Sequence, residues 1–517
     1  MLKYFRNTKF GDLPLHPFLL AVCPILFYYS RNIVEVESAL VLIRPTLAVL
    51  ALTGILFGLF YLLFRRLDRA ALLASALSLS YIKFLEIIVK TIVSGLDLLF
   101  DFPGGLLRMF LFVGLLLLSI YLAFRVKSVP LPAGTFLNGI ACGIFFMPIL
   151  TIVLTQLYGP PEEDSDPATF AIPEAIAERE DLPDIYYIIL DGYARADVLA
   201  DRFGHDNTPF LNAMKERGFF VAEASASSYL WTEPSLCATL NMDYLQNINI
   251  PEADLPNQKQ AIRHRLRHNA VHPLLQKLGY TLMGTGSGKT ATTPPPYFDV
   301  IIEYDPPWTT PTAFEVALME FTPFSQLVQF LGVNMGESNW SPRLNYVVQN
   351  LDAPTRFPKR RPIYFQCHLL APHDPFVMRA DGTFVQNQFG KLNFSALKGG
   401  DENFEVAAVK YIEEVRGTNG YILSAVDRIL KNSTTPPIIA ILSDHGPRVD
   451  ESTEIMDRSA GTLFMLHIPG ADPGAFPHDV NPVELFPIIL NEGLGFDIPM
   501  PKKAPDDSSA QSLTSRQ

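Results

Sequence analysis

One stretch of the sequence places a hydroxyl group where it could act as a nucleophile. Thr232 begins the run Thr-Glu-Pro-Ser, which small and apolar residues follow as far as Asn241. Pro234 suits the first turn of a helix and Ser235 can help to cap it, so the run predicts a sharp turn into a helix. Backbone N–H groups and the positive end of the helix dipole would then face an anion that the Thr232 hydroxyl attacks. The alternative is that Thr232 serves only as a helix cap.

Acidic and imidazole side chains follow two apolar runs of strand length. Asp191 closes the first run, and Asp444 and His445 come directly after a later one. Together with the Thr232 oxygen, these side chains form a ligand set typical of zinc or manganese. Each also has a plainer interpretation, with Asp191 as a turn residue and Asp444-His445 as a polar loop. Their joint occurrence at strand ends favours a metal site.

Apolar runs of strand length alternate with helical patterns in the later part of the chain. The strand candidates span 184–191, 218–222, 280–284, 362–369, 437–443 and 461–467. The helix candidates span 207–217, the stretch after Thr232, 269–278, 404–430 and 483–493. This alternation predicts an α/β sandwich whose first strand is buried in a parallel sheet. Ligands of such sheets bind beyond the carboxyl ends of the strands, where the candidate metal ligands would meet.

Five apolar segments occupy the first 158 residues. The chain has 517 residues, 48% of them hydrophobic, and a mean hydropathy of +0.18. It is therefore too long for one ordinary domain and too apolar to be wholly soluble. The segments span roughly 15–30, 45–64, 70–89, 106–124 and 135–158. We predict an N-terminal α-helical transmembrane bundle of about five spans, the first of which is a short membrane anchor.

The charges between the apolar segments predict the orientation of the chain. Basic residues precede segment one and lie between segments two and three and between segments four and five, whereas the other loops are acidic. The N-terminus is then cytoplasmic, and everything after Tyr158 lies outside the cytoplasm. Lys83, Glu86 and Lys90 share one helical face in segment three. They either serve a function within the membrane or mark an interfacial helix.

Composition divides the chain into four parts. Residues 1–158 form the transmembrane domain, 159–182 an acidic proline-rich linker, 183–500 a globular domain, and 501–517 a polar tail that we expect to be disordered. The net charge of −12 argues against nucleic-acid binding, which requires a basic surface. Four cysteines without a pairing pattern predict no disulfide framework.

The ordered set of motifs resembles the sulfatase-like branch of the alkaline phosphatase superfamily. The set comprises Asp191, Thr232-Glu-Pro-Ser235, Pro372-His-Asp-Pro-Phe376 and Asp444-His-Gly446. The resemblance covers about residues 183–499 and implies a sulfatase-like catalytic domain. Combined with a five-span anchor, it is similar to lipoteichoic acid synthases and phosphoethanolamine transferases. In those enzymes a Thr nucleophile takes a phospho-group from a phospholipid.

One departure from the sulfatase pattern distinguishes the branches. Sulfatases require Cys or Ser at the first position of Cys-x-Pro-Ser-Arg, where it is converted to formylglycine. This chain has Thr232 at that position and Leu236 at the Arg position. Because Thr cannot become formylglycine, sulfate-ester hydrolysis by the usual route is not expected. Cys237 lacks the following motif and is expected to be a small buried core residue.

The cofactor expected at this site is one divalent ion, manganese or zinc. Its ligands would be Asp191, Thr232, Asp444 and His445. The ion would lower the pKa of the Thr232 hydroxyl and hold its oxygen for in-line attack on phosphorus. A second ion, with His368 as a ligand, is a further candidate.

Three other side chains are candidates for contact with the substrate. His373 would donate to phosphoryl oxygens or protonate the leaving group. His368 ends its strand and is a second candidate for substrate binding. Arg448, just after Asp-His-Gly, would pair with a substrate phosphate.

Two further motifs have functional interpretations that the sequence does not favour. Residues 284–290 resemble a phosphate-binding loop, but Met283 occupies a required glycine position and three prolines follow, so ATP binding is not expected. His264, His268 and His272 have the spacing of one helical face, but the arginines among them would repel a cation. A solvated basic face near anionic headgroups is the favoured interpretation.

Three functions remain open from the sequence. The first is a phosphotransferase of the plasma membrane, with its catalytic domain on the periplasmic or extracellular side. It would move a phospho-alcohol headgroup from a phospholipid donor to an envelope glycan or lipid acceptor. The second is a phosphodiesterase or sulfuric-ester hydrolase with the same site. The third is a non-catalytic lipid-binding membrane protein, which the full set of candidate ligands disfavours.

Overall fold

The computed structural model describes residues 13–80, 131–157, 170–305, 310–320, 335–385, 404–449 and 461–502, with short gaps inside these ranges and a few isolated positions between them. The chain divides into two compact units. The first unit comprises residues 1–162, 308–339 and 387–401, and the second comprises 163–307, 340–386 and 402–517. Two segments that the sequence places within the span 183–500 therefore group with the N-terminal region.

The described residues of the first unit are mainly helical. Its helices are α1 (His16–Arg31), α2 (Ile43–Phe64), α3 (Leu67–Ser80) and α4 (Leu131–Leu157), with a 3₁₀ turn at Ala39–Leu42. Asn138 of α4 accepts the backbone N–H groups of Leu15 and His16 at 3.0 and 2.9 Å, and the His16 ring hydrogen-bonds to Ser75 of α3. These polar contacts tie α1 to both neighbours.

Two stretches of the described residues are long and apolar enough to cross a membrane, Ala39–Phe64 and Ala133–Leu157. Few of their side chains are buried within the protein, as is expected of lipid-facing helices. Helix α1 extends only about 24 Å at 1.5 Å per residue, short of the ~30 Å hydrocarbon core.

The prediction of five spans is not confirmed. The third apolar segment is described as a helix only as far as Ser80. Most of the fourth segment, 106–124, lies outside the described residues, as do Lys83, Glu86 and Lys90. Half of the predicted linker and most of the predicted tail also lie outside them.

A seven-stranded sheet forms the centre of the second unit. Its strands are β1 (Ile185–Leu190), β2 (Phe220–Val221), β3 (Thr281–Thr285), β4 (Val300–Ile302), β5 (Ile363–Leu369), β6 (Ile438–Ser443) and β7 (Phe464–His467). Their order is β2-β7-β6-β1-β5-β3-β4. Strands β6, β1, β5, β3 and β4 run parallel, whereas β7 and β2 pair antiparallel at one edge. The predicted parallel sheet is therefore a mixed sheet.

Helices cover both faces of this sheet. The helices of the second unit are α5 (Glu174–Ala177), α6 (Ala196–Phe203), α7 (Thr208–Glu216), α8 (Thr232–Asn241), α9 (Leu255–Arg267), α10 (Val271–Lys277), α13 (Phe404–Asn432) and α14 (Leu485–Ile488). Two more, α11 (Ala313–Glu320) and α12 (Met335–Gln349), belong wholly or partly to the inserted segment of the first unit. Short 3₁₀ turns lie at Leu245–Asn247, Ala353–Arg356, Pro473–Ala475 and Pro482–Glu484, and a π-helical turn lies at Ile489–Leu494.

Side-chain alternation along β1 explains why the domain has two hydrophobic cores, one on each face of the sheet. Ile185, Tyr187 and Ile189 enter a core shared with α8, α9 and α10. The intervening residues enter a second core shared with α6, α7, α12 and α13. All six residues of β1 are buried because successive side chains of a strand point to opposite faces, and helices cover both. The predicted α/β sandwich is the observed arrangement.

Candidate active site at the carboxyl edge of the sheet

The register of three central strands brings the first site residues together. Leu190 of β1 pairs with Ser443 of β6, so Asp191 and Asp444 leave adjacent strands at the same level. On the other side of β1, His368 of β5 pairs with Ile189, whose side chain points to the same face as that of Asp191. Asp191, His368 and Asp444 are all buried, and their candidate ligand atoms lie within 4.8 Å of one another.

His445 completes this cluster with a defined ring orientation. Its Nδ1 donates to the Gly446 carbonyl at 2.7 Å, and a carbonyl only accepts, so in the neutral ring Nε2 carries a lone pair. That Nε2 lies 3.3 Å from Asp191 Oδ1 and 3.6 Å from Asp444 Oδ2. The ring therefore presents a ligand atom to both carboxylates.

Thr232 is the first residue of α8, as the sequence predicts, and its hydroxyl faces the cluster. Thr232 Oγ1 lies 3.4 Å from His445 Nε2 and the side chain is partly exposed. The helix-cap position belongs to Trp231, which makes no side-chain capping bond. Thr232 is therefore not the N-cap residue of α8.

Two buried atoms indicate that this cluster fits a cation. His368 Nε2 and Asp444 Oδ2 find no hydrogen-bond partner among the described residues. Buried polar atoms of this kind are normally paired, because removing them from water unpaired is costly. Carboxylate oxygens combined with imidazole nitrogens suit zinc or manganese. The residues present thus fit the divalent ion that the sequence predicts.

The charge of the carboxylates dominates the electrostatics of the cluster. Burial lowers the pKa of His445, but the neighbouring Asp444 and Asp191 carboxylates outweigh this effect and raise the pKa to about 9. The direction of the shift shows that the pocket strongly favours positive charge.

His373 and Arg448 lie at the mouth of the site. His373 Nδ1 donates to the Asp374 carbonyl at 2.6 Å, and its Nε2 is 3.9 Å from Asp191 Oδ1. The guanidinium carbon of Arg448 lies 5.6 Å from the centre of the exposed Trp231 ring, within cation–π range. His373 thus lies beside the Asp191 carboxylate, and Arg448 lies beside the residue that precedes Thr232.

Comparison with known proteins gives matches only at the level of structure. No protein-family model and no curated protein matches the sequence. In structure, the chain resembles a phosphoethanolamine transferase and a lipoteichoic acid synthase. These are the classes of enzyme that the motifs resemble.

Three solved structures illustrate the likeness. The soluble domain of lipooligosaccharide phosphoethanolamine transferase A from Neisseria meningitidis has 12% identity and a TM-score of 0.38, covering 62% of this chain and 89% of that one. The lipoteichoic acid synthase LtaP from Listeria monocytogenes has 14% identity and a TM-score of 0.38, and the match covers 64% of this chain and 76% of that one. The zinc complex of the C-terminal periplasmic domain of EcEptC from Escherichia coli has 13% identity and a TM-score of 0.40, and the match covers 62% of this chain and 84% of that one. At these TM-scores the likeness by itself assigns neither activity nor substrate.

Sequence reasoning predicted helix α13 but missed its role in holding the loops of the site. Tyr411 of α13 donates its hydroxyl to the Gly192 carbonyl and accepts the Ala194 N–H, both at 3.0 Å. One turn further, Glu414 Oε1 accepts the backbone N–H groups of Val377 and Met378, both at 3.1 Å. The only sequence signal was an acidic residue on the apolar face of an amphipathic helix.

The expected solvated basic face on α9 is wrong in part. The helix ends at Arg267, and His272 lies on α10, buried and hydrogen-bonded to Asn269, Tyr297 and Gln366. Arg265 is buried, and Arg263 forms an ion pair with Glu233 at 2.7 Å. Arg263, Arg265 and His272 therefore lie inward, whereas Arg267 and His268 stay exposed.

The cysteines agree with the sequence analysis. Cys23, Cys142, Cys237 and Cys367 are all free thiols. Cys237 is fully buried in the core beside α9 and α10, and burial raises the pKa of its thiol well above the usual range. It is therefore a core residue and not a nucleophile.

We expect Glu414→Leu to lower the free energy of unfolding by about 2–4 kcal/mol, because two buried N–H groups lose their acceptor. Glu414→Gln keeps that acceptor and should leave stability near pH 7 almost unchanged or higher. Burial raises the pKa of Glu414 well above its usual 4.5, so the stability that the neutral carboxyl provides is complete below pH 4.5 and is lost as pH rises through the raised value.

Denaturant unfolding of the wild type and both variants at several pH values measures these effects. The Gln variant should show a flatter decline of stability from pH 4.5 upward than the wild type. Equal stability of the Leu variant and the wild type would contradict the anchoring role of Glu414.

Proposed function

We propose that this protein is a membrane-anchored, metal-dependent phosphotransferase that acts through a phospho-Thr232 intermediate. The observation that best supports this proposal is the position of the Thr232 hydroxyl at the start of α8, 3.4 Å from His445 Nε2. That imidazole nitrogen in turn faces the buried carboxylates of Asp191 and Asp444. A partly exposed hydroxyl beside a metal-ligand cluster and a helix N-terminus is suited to attack on phosphorus.

The ligands of the metal would be Asp191, Thr232, Asp444 and His445, with His368 as a further donor from β5. A bound divalent ion supplies a lower pKa for the Thr232 hydroxyl and positive charge beside the phosphoryl group. The protein contributes rigid strand ends that fix these donors. A buried cluster of two carboxylates and two imidazoles is unfavourable in a purely structural role, which supports a catalytic one.

The first half of the reaction transfers the headgroup to the enzyme. The Thr232 oxygen, having lost its proton to water, forms a bond to phosphorus while the bond from phosphorus to the lipid glycerol oxygen breaks. His373, whose Nε2 faces the site, is placed to protonate the departing lipid alcohol. Arg448, held over Trp231, is placed to pair with phosphoryl oxygens.

The second half delivers the headgroup to an acceptor. An alcohol of an envelope glycan or lipid would attack phosphorus while His373 takes the proton of that alcohol. The bond from phosphorus to the Thr232 oxygen breaks, and that oxygen regains a proton from water. The same residues serve both halves because the two steps are chemically the reverse of each other. Replacement of the acceptor by water would make the protein a phosphodiesterase, and a sulfatase is disfavoured because Thr232 cannot form formylglycine.

The apolar N-terminal region supports a lipid donor. Two described helices, Ala39–Phe64 and Ala133–Leu157, are long and apolar enough to cross a bilayer. The charge pattern of the sequence places residues after 158 on the periplasmic or extracellular side. We propose a plasma-membrane enzyme whose catalytic domain meets its lipid donor at the outer surface of that membrane.

Mass spectrometry of the purified protein tests this function. After incubation with phospholipid, the peptide that contains Thr232 should carry a phospho-alcohol adduct whose mass identifies the headgroup. An added acceptor should remove the adduct from Thr232, and the mass of the acceptor should increase by the mass of the adduct. Loss of the adduct to water alone would indicate a phosphodiesterase. Headgroup release without any adduct on Thr232 would contradict the proposal.

A further inference from the structure

We propose that Thr292 is a positioning residue that orients His368 as a metal ligand, in a loop whose sequence resembles a phosphate-binding motif. The inference rests on the proposed metal site and adds a residue to it. His368 Nδ1 lies 2.8 Å from Thr292 Oγ1, and Thr292 Oγ1 lies 2.9 Å from Ser287 Oγ. All three side chains are at least 95% buried, with exposures of 1%, 5% and 2% for His368, Thr292 and Ser287.

The hydrogen bond at Nδ1 determines which nitrogen of His368 can bind a metal ion. Nε2 lies 3.4 Å from Asp191 Oδ2 but makes no hydrogen bond to any described residue. We therefore assign the ring proton to Nδ1, from which the N–H would donate to Thr292 at 2.8 Å. With the proton on Nδ1, the lone pair of Nε2 faces Asp191 and Asp444. Either hydroxyl of the Ser287–Thr292 pair can donate, and in the proposed arrangement Ser287 would accept from Thr292, which leaves a lone pair of Thr292 directed at the ring.

The glycines of this loop explain how Thr292 reaches the ring. Strand β3 pairs with β5, with Thr285 opposite Cys367, so the chain leaves β3 beside His368. A side chain at Gly284 would come within 3.0 Å of the Gln366 carbonyl and 2.5 Å of Pro294. Gly288 has a φ of +88°, a conformation that residues with side chains rarely adopt. The glycines thus hold the loop against β5, a role that differs from cradling a nucleotide phosphate.

Outer hydrogen bonds of this kind commonly fix the tautomer of a ligating histidine, and their loss weakens metal binding by about 10- to 100-fold. Thr292→Val keeps the shape of the side chain and removes the acceptor. We expect it to raise the dissociation constant for Zn²⁺ or Mn²⁺ by roughly that factor. Thr292→Ser keeps the hydroxyl and should hold the constant within about 3-fold of the wild type, because the outer hydrogen bond to His368 is retained.

The measurement is a metal titration of the full-length protein against a competing chelator, together with thermal unfolding of the metal-free form. A merely structural Thr292 predicts that the Val variant is less stable without metal and binds metal as tightly as the wild type, which would overturn the inference. If Thr292→Val does not fold, Thr292→Cys is the substitute, because it keeps a similar size and offers only a weak acceptor. We expect Thr292→Cys to bind the metal ion more weakly than the wild type does. Equal affinity would overturn the inference.

Asp444→Asn separates failure of this inference from failure of the metal site itself. If Asp444→Asn loses metal and Thr292→Val does not, only the role of Thr292 is wrong. If neither variant loses metal, the ligand set of the proposed enzyme is wrong.

Discussion

Thr232→Val should reduce headgroup transfer to background, a loss on the order of 10⁴-fold or more, while the domain stays folded. The variant keeps the shape of the side chain and removes the one oxygen that would bond to phosphorus. Loss of the nucleophile removes the whole covalent route and not a fraction of it. Thr232→Ser retains an alcohol and should keep turnover within roughly 10- to 100-fold of the wild type, since only the positioning by the methyl group is lost.

Thr239→Val is the matched control on the same helix. Thr239 is fully buried and donates its hydroxyl to the Ser235 carbonyl at 2.8 Å, one turn into α8. Its replacement should cost about 1 kcal/mol of stability and leave transfer intact. Turnover of a phosphodiester reporter and thermal unfolding, measured for all three variants, separate catalysis from stability. An active Thr232→Val variant would refute the phospho-threonine route.

Removal of the metal ion should abolish transfer reversibly, and Asp444→Asn should reproduce the loss permanently. The Asn side chain can still accept the Gly192 and His445 N–H groups that Asp444 Oδ1 accepts at 3.1 and 3.0 Å. The fold should therefore persist while the buried Oδ2 that faces the cluster is replaced by an amide nitrogen. We expect metal occupancy to fall at least about 10-fold and transfer to fall with it.

Stability provides a second readout of the same change. Without metal, Asp444→Asn should be at least as stable as the wild type, because one of two neighbouring buried carboxylates loses its charge. With metal at about 100 times its dissociation constant, the wild type should gain about 2.7 kcal/mol and the variant little. Elemental analysis and unfolding with and without chelator test both points.

Asp352→Asn supplies the control for a buried carboxylate elsewhere in the domain. Asp352 is buried and pairs with Arg428 at 2.8 Å, so its replacement should lower stability without changing metal content. Unchanged metal content in Asp444→Asn would remove that residue from the ligand set.

The sequence by itself determined which short stretches carry the candidate site residues. Asp191 and Asp444 follow apolar runs, and the ends of parallel strands must meet at one edge of a sheet. The Pro in Thr-Glu-Pro-Ser predicted the helix start at Thr232 because its fixed φ suits the first turn. These are local properties of short stretches, so no knowledge of distant contacts was needed. The three-residue strand β4 and helices α6, α9, α11 and α12 were missed because their patterns are short or strongly polar.

Only the tertiary structure decided which side chains complete the site. His368 joins the cluster because β5 lies beside β1 in a register that no local pattern encodes. Thr292 is 76 positions away from His368 in sequence, and Glu414 is 37 positions away from Val377. Arg263 and Arg265 of α9 lie inward because Glu233 pairs with the first and the core buries the second. Strand order and helix packing are set by the sum of many burial and hydrogen-bond terms over the whole chain, which local sequence patterns do not contain.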